Sequence, residues 1–571
     1  MAQNTQYRDI LRKVRAAPKR FISAARHQNP QGLAALTDLA KVWTHVPRMM
    51  EQGIIDMFLS HLREELAPSS TREWHDDVEF AQLSLRALTE MDKLFNDPRY
   101  DTQTRAFVAG WPGMVKWSEY IYDVRQQAAS SVKERIAYLI EIVPLFLRFS
   151  QVSTFLPTMW DTPGTVELFT KLWIRESEGV GKLEGAIMNT IDMILRHCAA
   201  QGRMDAHDMI LTAVAGDADS FVQLVLRRMR KVTKRLDKNL EKSGTIAGYI
   251  NILMALCYPD THPFRRAVFD AGAIPSVTRI FVALSRTISS NSPEIQVVLL
   301  ASCIPFVLGY LEWDGYTGVV RAMKMGVLQA LLDGSPVFPR MPKEIVDAAL
   351  ECVRDMLPPY AVYRSFVDAV APFLKDREQE KVSALPAALT PFWSKLAERV
   401  HVLGQTDDEV TRCDNFQCQH LDTTFKICGG CQVVCYCSRE CQKADWKQGH
   451  RSVCEFIKVD TPLGHRDRID QSRIQTLAQK IVHLNSATFH AIADRDFPDT
   501  PRNELVPCID LSRVPEVLSV RTFDEAIGGR IRPTADWYRS HGITSVLCLR
   551  KDGSQFREMW LPAASENFWE V

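Results

Sequence analysis

Cysteine and histidine side chains are concentrated in one short segment of this 571-residue chain. Within 42 residues, eight of them have spacings suited to metal binding: Cys413, Cys418, Cys428, Cys431, Cys437, Cys441, His450 and Cys454. Two to four residues separate the members of each successive pair, so each pair can chelate one ion from a turn of the chain. Four such pairs are enough for two closed, four-coordinate zinc sites, which are structural rather than catalytic.

Disulfide bonding is the alternative use for these cysteines. The sequence shows no signal peptide with a short apolar stretch and a small-residue cleavage site, and a chain of 571 residues does not depend on disulfides for stability. Turns of the C-x2-C type in an intracellular chain favour metal. We therefore expect two Zn2+ ions per chain and an intracellular protein, cytoplasmic or nuclear.

Short motifs surround the eight ligands. They are Cys428-Gly-Gly-Cys431, Tyr436-Cys437-Ser438, Cys441-Gln442-Lys443-Ala444-Asp445-Trp446 and His450-Arg-Ser-Val-Cys454. Together they resemble a MYND-type zinc finger covering residues 413–454. The resemblance implies interleaved sites, with one zinc held by Cys413, Cys418, Cys437 and Cys441, and the other by Cys428, Cys431, His450 and Cys454.

The segment departs from the family pattern at two turns. The gap between Cys413 and Cys418 exceeds the usual two residues, and Gly449 adds one residue before His450. Both changes leave the ligand set intact. Cys435 is expected to be a small buried hydrophobic residue rather than a ninth ligand, because free cysteine is commonly buried. His420 is expected to be a surface histidine.

A peptide-binding surface is predicted on the helix that follows Ser438. Ser438 can cap a helix running to about Lys447, which places Gln442 and Trp446 four residues apart on one face. A ring packs on proline or leucine while an amide hydrogen-bonds to a peptide backbone. The family resemblance implies that these two residues border a groove for proline- and leucine-containing peptides. Alternatively, Trp446 fills the small core between the zinc sites.

Composition describes a folded chain with no bulk attraction to nucleic acid. Hydrophobic residues make up 46% of the chain and charged residues 24%, and 69 basic residues balance 69 acidic ones. The uncharged stretch from Ile295 to Leu311 contains Gln296, Ser302 and Pro305, which favours a buried helix over a membrane span. We expect neither a specific nucleic-acid partner nor a membrane segment.

The region from about residue 30 to 400 has helical periodicity throughout. One apolar stripe recurs every three or four residues at Phe221, Val225, Met229, Val232, Leu236 and Leu240. Glycines that precede apolar helix starts recur every 51 to 60 residues, at Gly53, Gly113, Gly164, Gly216, Gly272 and Gly326. Residues 268–275 resemble the start of an armadillo repeat. We predict an armadillo- or HEAT-like α-solenoid, with an irregular helical domain as the alternative.

The expected fold class is mainly α, in four segments. These are helical repeats at 1–403, a linker at 404–412, the two-zinc finger at 413–454 and a small α+β region at 455–571. The last region shows a helix pattern at Ile474 to Leu484 and a strand at Val506 to Leu511. Asp552-Gly553 is a hairpin signal between two apolar runs.

The predicted function is that of a non-enzymatic adaptor which binds protein partners through the finger. The rival function is lysine methylation, because some MYND fingers lie within SET-type methyltransferases. Those enzymes need an Asn-His motif, and no Asn-His dipeptide occurs in this sequence. No nucleophile elbow, P-loop or His-Glu-x-x-His element occurs either.

Overall fold

The computed structural model describes residues 2–68, 77–95, 97–128, 142, 144–175, 191, 194–195, 204–234, 243–258, 260–375, 390–404, 413, 415, 418, 426–431, 434–451, 454, 467–528, 533–540, 544–563 and 568–569. Within these residues the protein is mainly helical and has a small C-terminal sheet, as the sequence predicts. Contacts along the chain define two compact units, Met1–Ala273 and Ile274–Val571. The segment boundaries at 403, 412 and 454 stay predictions.

The first unit consists of helices whose neighbours in sequence contact each other. The helix at Ala218–Thr233 carries the predicted apolar stripe, and Phe221, Val225 and Met229 of this stripe are buried. The last two residues of the stripe, Leu236 and Leu240, lie outside the described residues. The described helices are α1 (Ala2–Ala16), α2 (Pro18–Ala25), α3 (Pro30–Val42), α4 (Ile54–Ser60), α5 (Asp77–Leu88), α6 (Asp101–Ala128), α7 (Leu156–Asp161), α8 (Thr165–Arg175), α9 (Asp205–Ala213), α10 (Ala218–Thr233), α11 (Ser243–Leu256) and α12 (Pro263–Asp270).

Glycine marks most of the predicted joints between helices. Five of the six glycines in the proposed repeat have positive φ, as at Gly272, where φ is 75° between α12 and the next helix. Such a conformation ends a helix and is accessible to glycine without strain. Gly113 differs, because it lies inside α6, where a Cβ would be 2.0 Å from the Leu62 carbonyl oxygen. The joints therefore exist, whereas their assignment to armadillo or HEAT repeats stays a prediction.

The second unit combines helices with the two small sheets. Its described helices are α13 (Ala273–Ser285), α14 (Glu294–Gly309), α15 (Gly315–Lys324), α16 (Val327–Gly334), α17 (Lys343–Glu351), α18 (Arg364–Lys375), α19 (Thr390–Gly404), α20 (Arg439–Asp445), α21 (Asp467–Leu484), α22 (Ser486–Asp496), α23 (Phe523–Ile527) and α24 (Pro533–Ser540). Helix α14 is the predicted buried helix, and its polar Gln296 and Ser302 are buried with it.

No described helix is by itself long and apolar enough to cross a membrane. Two bent pairs, α9 with α10 and α12 with α13, meet the length and composition test only when combined.

The C-terminal region forms a four-stranded mixed sheet in the order β4, β3, β5, β6. Its strands are β3 (Leu505–Asp510), β4 (Val517–Thr522), β5 (Ser545–Asp552) and β6 (Gln555–Pro562), which follow β1 (Lys426–Ile427) and β2 (Cys435–Tyr436) of the finger. Strands β3 and β5 are parallel, and the other two pairings are antiparallel. The predicted hairpin at Asp552-Gly553 joins β5 to β6, whereas β4 was not predicted.

The turn of the β5–β6 hairpin is bound by helical residues of the same unit. The Asp552 carboxylate accepts a hydrogen bond of 2.8 Å from the backbone N–H of Tyr316, near the start of α15. The N–H of Gly553 donates to the Tyr360 hydroxyl at 3.1 Å, and that hydroxyl donates to Glu312 at 2.6 Å. Because these polar groups are largely withdrawn from water, losing one partner leaves the other unsatisfied. The hairpin is therefore fixed against the helices.

Gly553→Ala is expected to weaken this attachment. A Cβ at this position would lie 2.4 Å from the Glu312 carbonyl oxygen, in a residue whose φ is already +67°. Gly528→Ala is the matched control, because its φ is +58° but nothing lies within 4 Å of the added atom. We expect the control to cost about 1 kcal/mol through backbone strain, and Gly553→Ala to cost clearly more. Thermal unfolding and limited proteolysis of the hairpin measure this, and equal losses would contradict the contact.

Candidate metal centre

The eight predicted ligands converge in two groups of four. One group contains Cys413, Cys418, Cys437 and Cys441, and the other contains Cys428, Cys431, His450 and Cys454. Within each group, the ligand atoms all lie within 4.8 Å of one another. The structure therefore brings the residues together in the interleaved arrangement that the resemblance implies. Interleaving ties the two halves of the finger together, since each group contains residues from both.

Distances between ligand atoms test whether zinc fits. A tetrahedral ion with Zn–S bonds of about 2.3 Å places its sulfurs about 3.8 Å apart. In the first group, the Cys437 sulfur lies 3.5 Å from those of Cys418 and Cys441. In the second group, the sulfurs of Cys428 and Cys454 lie 3.8 Å apart. Both groups therefore have the size and donor set of a closed zinc site, and the finger can hold two zinc ions.

The ligands of the first group are placed by a short hairpin and a helix start. Strands β1 and β2 pair antiparallel, and Cys437 follows directly after β2. Ser438 caps α20 as predicted, because its side chain accepts a hydrogen bond of 3.1 Å from the N–H of Cys441. The N–H of Cys437 also donates to the Cys413 sulfur at 3.5 Å. Hydrogen bonds of this kind stabilise a thiolate ligand and fix its position.

The second group depends on close approach at one glycine. The turn between Cys428 and Cys431 contains two glycines, and a Cβ on Gly430 would lie 2.6 Å from the Cys454 sulfur. A Cβ on Gly429 would meet nothing within 4 Å. Gly430 was not singled out from the sequence. Its position between two chelating cysteines could have identified it, because the chain must bend tightly around the ion there.

The imidazole of His450 completes the second group. Its Nε2 lies 3.4 Å from the Cys428 sulfur and 3.6 Å from that of Cys431. Burial lowers the pKa of His450, and the nearby Asp445 carboxylate opposes this shift. The neutral imidazole is the form that binds metal, so the lowered pKa favours coordination. Gly449, with φ of 157°, provides the bend that directs the chain to His450.

A hydrogen bond beneath the zinc groups joins the hairpin to the helix. Tyr436 is fully buried, and its hydroxyl donates to Asp445 at 2.5 Å. Burial raises the pKa of Asp445, whereas the Tyr436 hydrogen bond lowers it. Because Tyr436 alternates with its neighbours along β2, its inward direction could have been anticipated. Its partnership with Asp445 could not, since eight residues lie between them.

Without a bound metal, the pKa values of the Cys437 and Cys441 thiols are shifted in opposite directions. Hydrogen bonding to Cys441 and burial raise the pKa of Cys437 to about 12. For Cys441, desolvation raises the pKa but hydrogen bonds with Asn415 and Ser438 lower it, to about 7. A bound Zn2+ stabilises the thiolate form at every position, so metal binding releases protons from the thiols. Zinc affinity is therefore expected to fall as the pH is lowered.

Cys435 is not needed to complete either group of four. Cys435 lies in β2, where its backbone is paired with Ile427, and each group is complete without it. The alternation of side chains along a strand cannot exclude Cys435 as a ligand beside Cys437, because residues two apart point to the same face. The exclusion of Cys435 therefore rests on the complete ligand sets, and its buried character stays a prediction. His420 lies outside the described residues.

Trp446 lies at the surface rather than between the zinc groups. Its side chain is 38% exposed, and its ring contacts the His450 imidazole edge-on with centroids 5.6 Å apart. Gln442 lies one helical turn earlier and is half-buried. The fully buried aromatic residue of the described finger is Tyr436. The alternative in which Trp446 fills the core is therefore wrong, and both predicted residues are accessible.

These features define a small module in which two interleaved groups of four ligands can each hold a zinc ion. Comparison with protein families agrees, because residues 413–454 match the MYND finger family. The match covers this segment alone and does not assign the rest of the chain to a family. No solved structure matches the chain significantly.

Two curated relatives share similarity over short stretches. SET domain-containing protein 14 of Caenorhabditis elegans is 40% identical over 70 residues, 12% of this chain and 16% of the relative. Ubiquitin carboxyl-terminal hydrolase 19 of Arabidopsis thaliana is 46% identical over 48 residues, 8% of this chain and 7% of the relative. This chain thus covers less than one fifth of either relative. The SET match is at the level of the finger region.

Gly430→Ala is expected to weaken zinc binding at the second group, because the added methyl group would occupy the space beside the Cys454 sulfur. Gly429→Ala is the matched control in the same turn. We expect about a tenfold or greater loss of zinc affinity for Gly430→Ala, the range seen when the support of a metal ligand is removed. Competition with a chelator measures this affinity. Equal affinities of the two variants would show that the turn adapts without cost.

Cys435→Ser and Cys437→Ser form a second matched pair. Cys437 belongs to the first group of four, whereas both groups are complete without Cys435. Elemental analysis of the purified full chain should give two zinc ions for Cys435→Ser and fewer for Cys437→Ser, since a site with three ligands binds the ion less tightly. The reverse result would refute the ligand assignment.

Proposed function

We propose that this chain is a non-enzymatic adaptor whose finger binds proline- and leucine-containing peptides. The observation that carries the proposal is the exposure of Trp446 on a zinc-supported helix, with Gln442 one turn away. Monomeric proteins place most tryptophan surface in contact with other groups, and an accessible ring beside an amide suits an extended peptide. MYND fingers are protein-interaction modules, which supports a protein partner.

Zinc binding at the second group would raise the affinity of the finger for a peptide. Trp446 packs against His450, and His450 belongs to the second group of four. A bound ion would fix the imidazole and thereby restrict the ring that rests on it. A preordered ring loses less conformational entropy when a peptide binds, so the zinc-loaded finger has the higher affinity.

Four buried cysteines outside the finger support a non-enzymatic role. Burial raises the pKa of Cys352, Cys508 and Cys548 to about 12, and it also raises the pKa of Cys303. A nucleophilic cysteine needs an accessible thiol with a lowered pKa, so these four are suited to the core. The closed zinc groups leave no coordination position for substrate. The rival function, lysine methylation of the SET type, is disfavoured because the sequence lacks the Asn-His motif.

The helical region would serve as the scaffold of the adaptor. An armadillo- or HEAT-like array for residues 1–403 is supported by the left-handed glycines between successive helices. Arrays of this type present extended surfaces for further partners. An intracellular location, cytoplasmic or nuclear, is supported by the described cysteines, which are all free thiols.

Trp446→Ala is expected to weaken binding of a fluorescent Pro-Leu-Pro-Leu-Pro peptide to the full chain by about 30-fold, as expected for a central aromatic contact. Trp313→Ala is the control, because Trp313 is similarly exposed, at 42%, and lies outside the finger. Fluorescence anisotropy gives the affinities, and elemental analysis verifies two zinc ions in each variant.

Equal peptide affinity of Trp446→Ala and wild type would show that the surface around Trp446 does not bind the peptide. Absence of peptide binding by the zinc-loaded wild type would contradict the proposed function itself. Treatment of the wild type with a chelator should abolish binding, since the surface depends on the metal groups.

A further inference from the structure

Basic side chains surround the exposed tryptophan of the finger. Arg439, Lys443 and Lys447 follow one another at intervals of four residues, and all three are exposed. None of them forms an ion pair with another described residue. We call these three residues the basic ridge. Since residues three or four apart are neighbours on a helix surface, Lys443 lies beside Trp446.

Acidic groups do little to neutralise the basic ridge from within the described part of the finger. Asp445 is buried and accepts the Tyr436 hydrogen bond, so it faces away from solvent. Glu440 is exposed and is the one acidic residue on the described surface of α20. Lys426 and Arg451 are also exposed. The exposed surface of the described finger residues is therefore predominantly cationic.

The metal groups work in the opposite direction. Seven thiolates and two zinc ions together carry a net charge of −3, which would reduce the long-range positive field of the finger. Charge interactions at the surface are also screened within about 10 Å at moderate salt. Attraction therefore acts over short distances, through direct pairs between the basic ridge and a ligand that is already seated on Trp446.

We propose that the finger selects peptides in which acidic residues flank the proline- or leucine-containing core. This inference rests on the proposed function and specifies the partner class of the same surface. An apolar residue on Trp446 places its neighbours within reach of Lys443 and Lys447, where carboxylates gain favourable pairs and basic residues are repelled. Nucleic acid fits less well, because the described finger presents a single exposed tryptophan rather than aromatic residues interleaved with the cations.

Three fluorescent peptides with the same Pro-Leu-Pro-Leu-Pro core, flanked by Glu, Gln or Lys triplets, test the inference on the full zinc-loaded chain. Wild type should bind the Glu-flanked peptide about tenfold more tightly than the Gln-flanked one, and the Lys-flanked peptide least. The difference should shrink when NaCl is raised from about 50 to about 500 mM. A labelled thymidine oligonucleotide is included, and tighter binding of this probe than of any peptide would overturn the inference in favour of nucleic acid.

Charge reversal identifies the residues responsible. The double variant Lys443→Glu, Lys447→Glu should prefer the Lys-flanked peptide, which also verifies that the variant is folded. The control Lys231→Glu, Lys234→Glu changes the net charge equally at the exposed C-terminal end of α10 and should keep the wild-type order. An unchanged order in the first variant would overturn the role of the basic ridge.

The results separate this inference from the function on which it rests. Equal binding of all three peptides by wild type, lost in Trp446→Ala, would retain peptide binding and overturn acidic selection. Failure of every peptide to bind wild type would overturn both.

Discussion

Coordination of metal by eight side chains is the constraint on which the finger depends. The segment 413–454 has few apolar residues to build a core, and its buried cluster consists of four cysteine ligands and Tyr436. Metal–ligand bonds therefore replace the apolar packing that stabilises the helices elsewhere. Because each group draws ligands from both halves of the segment, neither half can fold around an ion alone.

The consequences extend from the ions to the surface. A bound zinc ion would order His450, whose ring contacts Trp446. Helix α20 positions Gln442 and two residues of the basic ridge, Arg439 and Lys443. The Tyr436–Asp445 hydrogen bond ties the same helix to the β1–β2 hairpin. Closed coordination thus suits zinc to a structural role, and in the proposed function a bound ion would fix the shape and rigidity of the peptide-binding surface.

The ligands of the finger were predictable because metal binding imposes short, regular spacings on the sequence. The capping role of Ser438 was predictable because it depends only on the residue type at the start of a helix. Contacts between distant segments were not predictable. Examples are the space at Gly430 occupied by the Cys454 sulfur and the binding of Gly553 by Tyr360. Strand β4 was missed because most of its residues are only partly buried and lack regular alternation. The glycine period located helix joints, yet Gly113 shows that the same residue can instead permit close helix packing.

Hydrogen–deuterium exchange of the zinc-loaded full chain, with and without the Glu-flanked peptide, tests whether zinc orders the peptide-binding surface. Groups held in stable hydrogen bonds exchange slowly, so a ligand that orders a surface protects the amides beneath it. We predict that the peptide protects residues 438–451 and that this protection is lost when zinc is removed. Peptide binding accompanied by protection only in the helical region, or retained without zinc, would contradict it.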